Sequence, residues 1–149
     1  MVELKIQLLD ERLPMPRYQH QGDAGLDLPS RIDLVIEPGE RGMVPTGIAV
    51  AIPPGYAGFV LPRSGLASRH GIALVNSPGL VDSGYRGEIA IVMINTDKRE
   101  AFHIKRGDRI AQLVIQRVED VSIIRVNELD ETSRGAGGFG STGDQYHER

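Results

Sequence analysis

Apolar side chains along this chain fall in short runs, many with a period of two. Leu4, Ile6 and Leu8 alternate with Lys5 and Gln7, which predicts a half-buried strand. Ile32, Leu34 and Ile36 repeat the pattern. Ile48 to Ile52 and Phe59 to Leu61 follow, separated by the turn Pro53-Pro54-Gly55, and Ile72 to Val75 is another short run. Ile89 to Ile94 is apolar on both faces, which predicts a central strand of a two-layer structure. Ile110 to Ile115 and Val121 to Val126 complete the set. Pro38-Gly39, Pro78-Gly79 and Arg106-Gly107-Asp108 punctuate these runs as turns. One stretch reads as a short helix, capped by Ser64, running through Arg69 and ended by Gly71. The pattern predicts an all-β fold: two packed antiparallel sheets, or a distorted jelly-roll barrel, with one short helix.

Composition narrows the class. Glycine (18) and proline (9) make up about 18 % of the 149 residues, against roughly 12 % in average proteins, and they are spread along the chain. This density excludes long helices. The length suits one domain that buries enough surface to need no metal or disulfide staple. The absence of cysteine excludes a disulfide scaffold, a thiol nucleophile and a Cys-type zinc site, and fits a reducing compartment. A net charge of −3 with mixed signs argues against a nucleic-acid partner. No apolar run reaches the roughly 18 residues of a membrane span. Met1 to Lys5 lacks the apolar core of a signal peptide. The expectation is a soluble, cytoplasmic, single-domain protein.

The last twenty residues change character. Residues 1–129 read as the β-domain and 130–149 as a glycine-rich arm, mobile when empty, with five glycines between positions 135 and 143. A disordered tail is the plain reading of that composition. Gly135 to Thr142 also has the spacing of a phosphate loop. The lysine after Gly140 is missing, no strand precedes the loop, and too little chain follows for a βα unit, so a Walker-type site is rejected. The local physics survives that rejection. Glycine amides can wrap an anion, Ser141 and Thr142 can donate, and Arg134 offers a fork to phosphate oxygens. Phe139 is then a lone aromatic with no core to join, and either floats or stacks on a flat ring. Together these residues read as a nucleotide lid.

Four further segments carry candidate chemistry. Arg63, Ser64 and Gly65 stand at the start of the short helix, which is either an anion site or a simple serine cap. Asp82 follows Leu80 and Val81 and precedes a turn. A carboxylate rigidly held at a strand end can accept a proton from water, and an ordinary Asp-Ser-Gly turn is the plainer alternative. Tyr85 nearby packs or binds. Asp23 and Asp27 flank a glycine and could approach a hard cation, but they are too few for a cage, so magnesium would arrive with substrate phosphates. Gln112 interrupts an apolar strand and must be hydrogen-bonded, to backbone or to ligand. None of His20, His70, His103 and His147 is spaced with another as a metal pair.

Taken in order, five segments resemble the motifs of the trimeric dUTP pyrophosphatase (dUTPase) family. They are Asp23 to Leu28, Pro62 to Ala67, Gly79 to Glu88, Arg106 to Leu113 and Arg134 to Gly143, and they span almost the whole chain. The resemblance implies a jelly-roll-like homotrimer whose active sites are shared between subunits, the arm of one closing over the site of another. It implies hydrolysis of dUTP to dUMP and pyrophosphate with Mg2+, keeping uracil out of DNA and supplying dUMP for thymidylate synthesis. By this resemblance Asp82 activates the water that attacks the α-phosphorus, and Asp27 holds magnesium through water. Arg63, Ser64, Gly65 and Gln112 contact phosphates. Asn76 and the backbone of Leu80 and Val81, in a hairpin, read the uracil edge, and Tyr85 packs on deoxyribose. Phe139 covers the base while Arg134, Gly140, Ser141 and Thr142 close on the phosphates. Two alternatives remain. One is a dCTP deaminase, or a bifunctional relative of the same fold, which would need a glutamate at the position of Val92. The other is a non-catalytic β-sandwich that binds nucleotides.

Overall fold

The structure, a computed structural model, describes residues 2–139 and 141. Along the chain come β1 (Lys5–Leu8), β2 (Leu26–Pro29), β3 (Leu34–Ile36), β4 (Arg41–Ala51), β5 (Tyr56–Leu61), α1 (Ser64–His70), β6 (Ile72–Leu74), β7 (Gly79–Val81), β8 (Glu88–Asn95), β9 (Phe102–Ile104) and β10 (Arg109–Arg117). Two four-stranded antiparallel sheets, ordered β1-β4-β8-β6 and β2-β10-β5-β7, pack against each other, and β3 and β9 form a separate ribbon. Leu28, Val60, Val81 and Leu113 from one sheet meet Val44, Ile48, Ile72, Ile91 and Met93 from the other. Each such side chain taken out of water contributes about 1.5–3 kcal/mol before chain entropy is charged against it. The fold is all-β, as the alternation predicts, with both sheets open among the described residues.

Two strands are longer or more one-sided than the sequence pattern predicts. Ile48 to Ile52 is the second half of the eleven-residue β4, which begins at Arg41. Strand β8 lies inside its sheet as expected, with Ile89, Ile91 and Met93 buried. Its other face, with Ala90, Val92 and Ile94, is exposed or half-buried, so the second apolar face has no covering layer among the described residues. The β4–β8 ladder lapses between Pro45 and Ala49. Gly47 sits in that lapse at φ +72°, and a Cβ there would lie 2.9 Å from Leu13 Cδ1, so glycine is required on two counts.

Two local expectations are corrected. Val121 to Val126 forms no strand, and Val121, Ile123 and Ile124 are exposed. Alternation alone does not make a strand where no partner edge lies alongside to complete the ladder. In α1 the cap position is Arg63 rather than Ser64, and no side chain caps the helix. Gly71 ends it as predicted, in the left-handed conformation at φ 63°.

Buried polar groups are few, and among the described residues only Arg106 Nη2 is buried without a hydrogen-bond partner. Asn95 donates through Nδ2 to the carbonyls of Ile36 (3.0 Å) and Glu100 (2.8 Å). Asp10 accepts from Arg106 Nη1 at 2.6 Å and faces Arg12 and Arg31. The hydrogen bond from Arg106, then those from Arg12, hold the Asp10 carboxyl well below the usual carboxylate range despite the opposing desolvation, and the same pairing raises Arg106.

Candidate active site

The third motif builds a pocket at the edge where the two sheets separate. Strand β7 delivers Val81 to the core and Asp82 to the surface. A tight turn follows, in which Tyr85 N–H donates to the Asp82 carbonyl at 3.1 Å. Arg86 Nη1 donates to the carbonyls of Ser83 (2.7 Å) and Tyr85 (2.8 Å), so this arginine stiffens the turn from outside. The Tyr85 hydroxyl donates to the Glu88 carbonyl at 3.0 Å, which lays the ring over Gly87; any Cβ at that position would collide with it. Asn76, Leu80, Val81, Asp82 and Tyr85 all line the resulting cavity of about 180 Å³, together with Glu88 and Val92. The Asp82 carboxylate is exposed, and no described residue donates to it. The pocket residues do not come from a hairpin ladder. Strand β6 pairs with β8 and β7 with β5, so the link from Val75 to Pro78 crosses from one sheet to the other.

The second cluster forms on the outward face of the β2-β10-β5-β7 sheet. Gln112 is opposite Asp27 on one side and Leu61 on the other, which places all three on one face. Asp27 Oδ1 lies 3.2 Å from Arg63 Nε and its Oδ2 accepts from Arg109 Nη1 at 2.9 Å. Arg63 Nη1 also donates to the Arg109 carbonyl at 2.8 Å. One carboxylate and two guanidiniums leave the group one positive charge in excess, a setting suited to an anion. Gln112 Nε2 donates to the Pro62 carbonyl at 2.9 Å, which answers its hydrogen-bond requirement with backbone and fixes the entry to α1. Its Oε1 lies so near Gly25 that a Cβ there would approach to 2.6 Å. Ser64 and Gly65 open α1 beside this group, and the Ser64 hydroxyl makes no cap bond. Asp23 serves its own loop, accepting from the N–H groups of Gln19 (3.1 Å) and His20 (2.8 Å).

The pocket of Asp82 and the cluster of Asp27 share no lining residue. Sequence reasoning placed all these residues in one site, and a single chain brings them together as two groups. The arm joins neither among the described residues. Arg134 Nε donates to the Gly137 carbonyl at 2.9 Å, Ser141 N–H to that of Gly138 at 3.1 Å, and Phe139 is wholly exposed at φ 49°. Gly140 and Thr142 lie outside the described residues. Arg109, Gly25 and Glu88 were not singled out by sequence. Spacing could not have found Arg109, since three residues along a strand reach the opposite face and only the irregularity between Arg109 and Ala111 brings it to the side of Gln112. Glu88 meets partners far away in the chain and carries no local signal. Among the described residues no three His, Asp or Glu side chains gather to hold a metal ion.

A family model described as dUTPase matches residues 11–143. The chain is 59 % identical over 142 residues to the deoxyuridine 5'-triphosphate nucleotidohydrolase of Thermobifida fusca, covering 95 % of this chain and 79 % of the relative. It is 56 % identical over 140 residues to that of Corynebacterium glutamicum, covering 94 % of each. Among solved structures it is similar to the Staphylococcus bacteriophage 80alpha dUTPase with dUPNHPP, at TM-score 0.86 and 31 % identity over 95 % of this chain and 99 % of that one. It is also similar to a mutant dUTPase of a Staphylococcus aureus phage, phi11, that coordinates a structural Mg(II) ion, at TM-score 0.78 and 30 % identity over 85 % and 97 %.

Proposed function

The chain belongs to the dUTPase family, and from that premise we propose that it hydrolyses dUTP to dUMP and pyrophosphate by attack of an Asp82-activated water on the α-phosphorus. The observation that carries the reading is Asp82 itself. It is a carboxylate without a partner among the described residues, on a stiffened turn at the mouth of a pocket lined by Asn76, Leu80, Val81 and Tyr85. Asp82 takes a proton from water as the water oxygen bonds to phosphorus. The bridging bond from the α-phosphorus to the leaving oxygen breaks, and pyrophosphate carries the electron pair away. Asn76 and the backbone of Leu80 and Val81 read the uracil edge, and Tyr85 fills the space a ribose hydroxyl would need. The cluster of Arg63, Ser64, Gly65 and Gln112 receives the phosphates.

The donor set fits magnesium in one way. A single carboxylate between two arginines cannot cage a cation, but it can face the water shell of an ion that substrate phosphates hold. When bound, that ion would neutralise phosphate charge, and Asp27 is the residue that would hold its hydration shell.

Two features support a homotrimer with shared sites. The pocket and the phosphate cluster are separate in one chain, and a neighbouring copy would bring one beside the other. The outer face of β4 and β8, with Met43, Ala90, Val92 and Ile94, is apolar and at least partly exposed, as an interface between copies would be. The arm then closes over a neighbour's nucleotide, with Phe139 on the base and Arg134, Gly140, Ser141 and Thr142 on the phosphates. Residues 1–129 form the β-domain and 130–149 the arm. A cytoplasmic location accords with a chain free of cysteine. Deamination is disfavoured because Val92, which lines the pocket, has no proton to give or take.

Pyrophosphate release from dUTP, dTTP, dCTP and UTP, measured side by side for the full chain and for a chain ending at Ser133, tests the reading. The full chain should act on dUTP alone, release no ammonia from dCTP, and lose most of its turnover with the arm. Equal turnover of all four nucleotides would overturn the assignment of the pocket.

A further inference from the structure

The β4–β8 ladder is interrupted close to the start of β8, and side chains bridge the gap. Pairing between β4 and β8 runs from Arg41 opposite Ile94 to Pro45 opposite Ala90, then jumps to Ala49 opposite Glu88. Inside the gap, Gly47 N–H donates to Glu88 Oε1 at 2.7 Å, and the Thr46 hydroxyl donates to the Ile89 carbonyl at 2.7 Å. Arg31 Nη1 donates to both Glu88 oxygens, at 3.2 and 3.3 Å. Arg31 Nε lies 3.8 Å from Asp10 Oδ2, which accepts from Arg106 Nη1 at 2.6 Å. A line of alternating charge, Glu88–Arg31–Asp10–Arg106, therefore ties the first residue of β8 to three separate loops.

The other end of Glu88 faces the chemistry. Its carbonyl accepts the Tyr85 hydroxyl at 3.0 Å, and the residue lines the same cavity as Asp82. Whatever fixes the Glu88 backbone thus fixes the Tyr85 ring and one end of the Asp82 turn. The Glu88 carboxylate is already engaged by Gly47 and Arg31, which leaves it unsuited to act on a substrate.

We propose that Glu88, held by Gly47 N–H and Arg31, is a positioning residue that sets the Tyr85 ring against the sugar and so governs selection of deoxyribose over ribose. This rests on the reading of Tyr85 given above. A ring displaced by a fraction of an ångström opens the space where a 2′-hydroxyl would sit, and loses contact with the deoxyribose it should cover.

The test compares wild type, Glu88→Ala, Glu88→Gln, Tyr85→Phe and the Glu88→Ala/Tyr85→Phe pair. The readouts are kcat and KM for dUTP and for UTP, and Tm. Glu88→Ala should lower the dUTP-to-UTP ratio of kcat/KM about tenfold, since it removes both the Gly47 and the Arg31 contacts of the Glu88 carboxylate. Glu88→Gln keeps an acceptor for Gly47 and should restore the ratio to within about threefold of wild type. The pair should change the ratio no more than the larger single change, because both act through one bond. A Glu88→Ala protein with lowered Tm but a ratio within about twofold of wild type would reduce the brace to scaffold and overturn the proposal. If Glu88→Ala does not fold, Arg31→Met decides: it keeps the Gly47 bond, should lower the ratio about threefold, and an unchanged ratio overturns the proposal. Wild type inactive on dUTP would instead overturn the functional reading, so the two failures are distinguishable.

Discussion

Asp27 and Asp82 are both carboxylates beside a strand of the same sheet, and the chain treats them oppositely. Asp27 is mostly buried and has an arginine on each oxygen, Arg63 Nε at 3.2 Å and Arg109 Nη1 at 2.9 Å. Asp82 stands in solvent on a turn whose backbone is stiffened by Arg86 while its carboxylate receives no donor from the described residues. The first has both oxygens engaged by guanidiniums and is held in place by them. The second has a fixed backbone, and its oxygens face the pocket without a described donor, so they can meet a water. On the proposed reading this is a division of labour: the paired carboxylate belongs to the phosphate cluster, and the one without a described donor is the base.

The largest test of that division is Asp82→Asn. The amide keeps the shape and loses the base, so kcat should fall by about a hundredfold or more. Binding of the non-hydrolysable analogue dUPNHPP, measured by calorimetry, should change little. A variant that retains kcat would erase the distinction between the two carboxylates.

Asp27→Asn is the next in size and acts in the other column. Losing the charge between Arg63 and Arg109 frees both guanidiniums and weakens the hold on a hydrated cation. The magnesium concentration for half-maximal turnover should rise about tenfold, in line with one lost charge-assisted contact, while kcat at saturating magnesium falls less than for Asp82→Asn. A pure kcat defect with no change in magnesium dependence would mean that Asp27 belongs with Asp82 after all.

The contrast between these two groups also marks how far the sequence could be read. Ile6 announces its strand because burial on one face imposes a period of two, and Ile91 and Leu113 because they stand in continuous apolar runs. The short β2 and β9 went unrecognised, since three or four residues give too few turns of the period to see. Val121 to Val126 shows the reverse error: an apolar run with no partner edge among the described residues. Asp27 and Asp82 were legible as chemistry because each sits in a segment of turn residues with a carboxylate that no local element needs. The pairing of Asp27 with Arg63 and Arg109 was not, because it depends on β2 lying beside β10, a register that local periodicity does not encode. The Glu88–Arg31 contact joins residues 57 apart in sequence and was invisible for the same reason. Likewise nothing in the sequence says that Asp82 and Asp27 face different cavities of one chain.

Asp10 extends the comparison to a third carboxylate and gives the smallest effect. Like Asp27 it is surrounded by arginines, with Arg106 Nη1 at 2.6 Å, but it lies away from both clusters. Its folded-state pKa is held below the ordinary 3.8, chiefly by the Arg106 hydrogen bond. A depressed carboxyl contributes stability that is complete above its unfolded value and is lost as pH falls toward its folded one. Asp10→Asn should therefore lower Tm by a few degrees at neutral pH, with the gap to wild type constant down to about pH 4 and closing below it. Thermal melts from pH 7 to pH 2 would read this directly. A gap that stayed constant down to pH 2 would mean that the Arg106 pairing does not hold the Asp10 carboxyl down, and the account of Asp10 as a carboxylate tied for stability would fail.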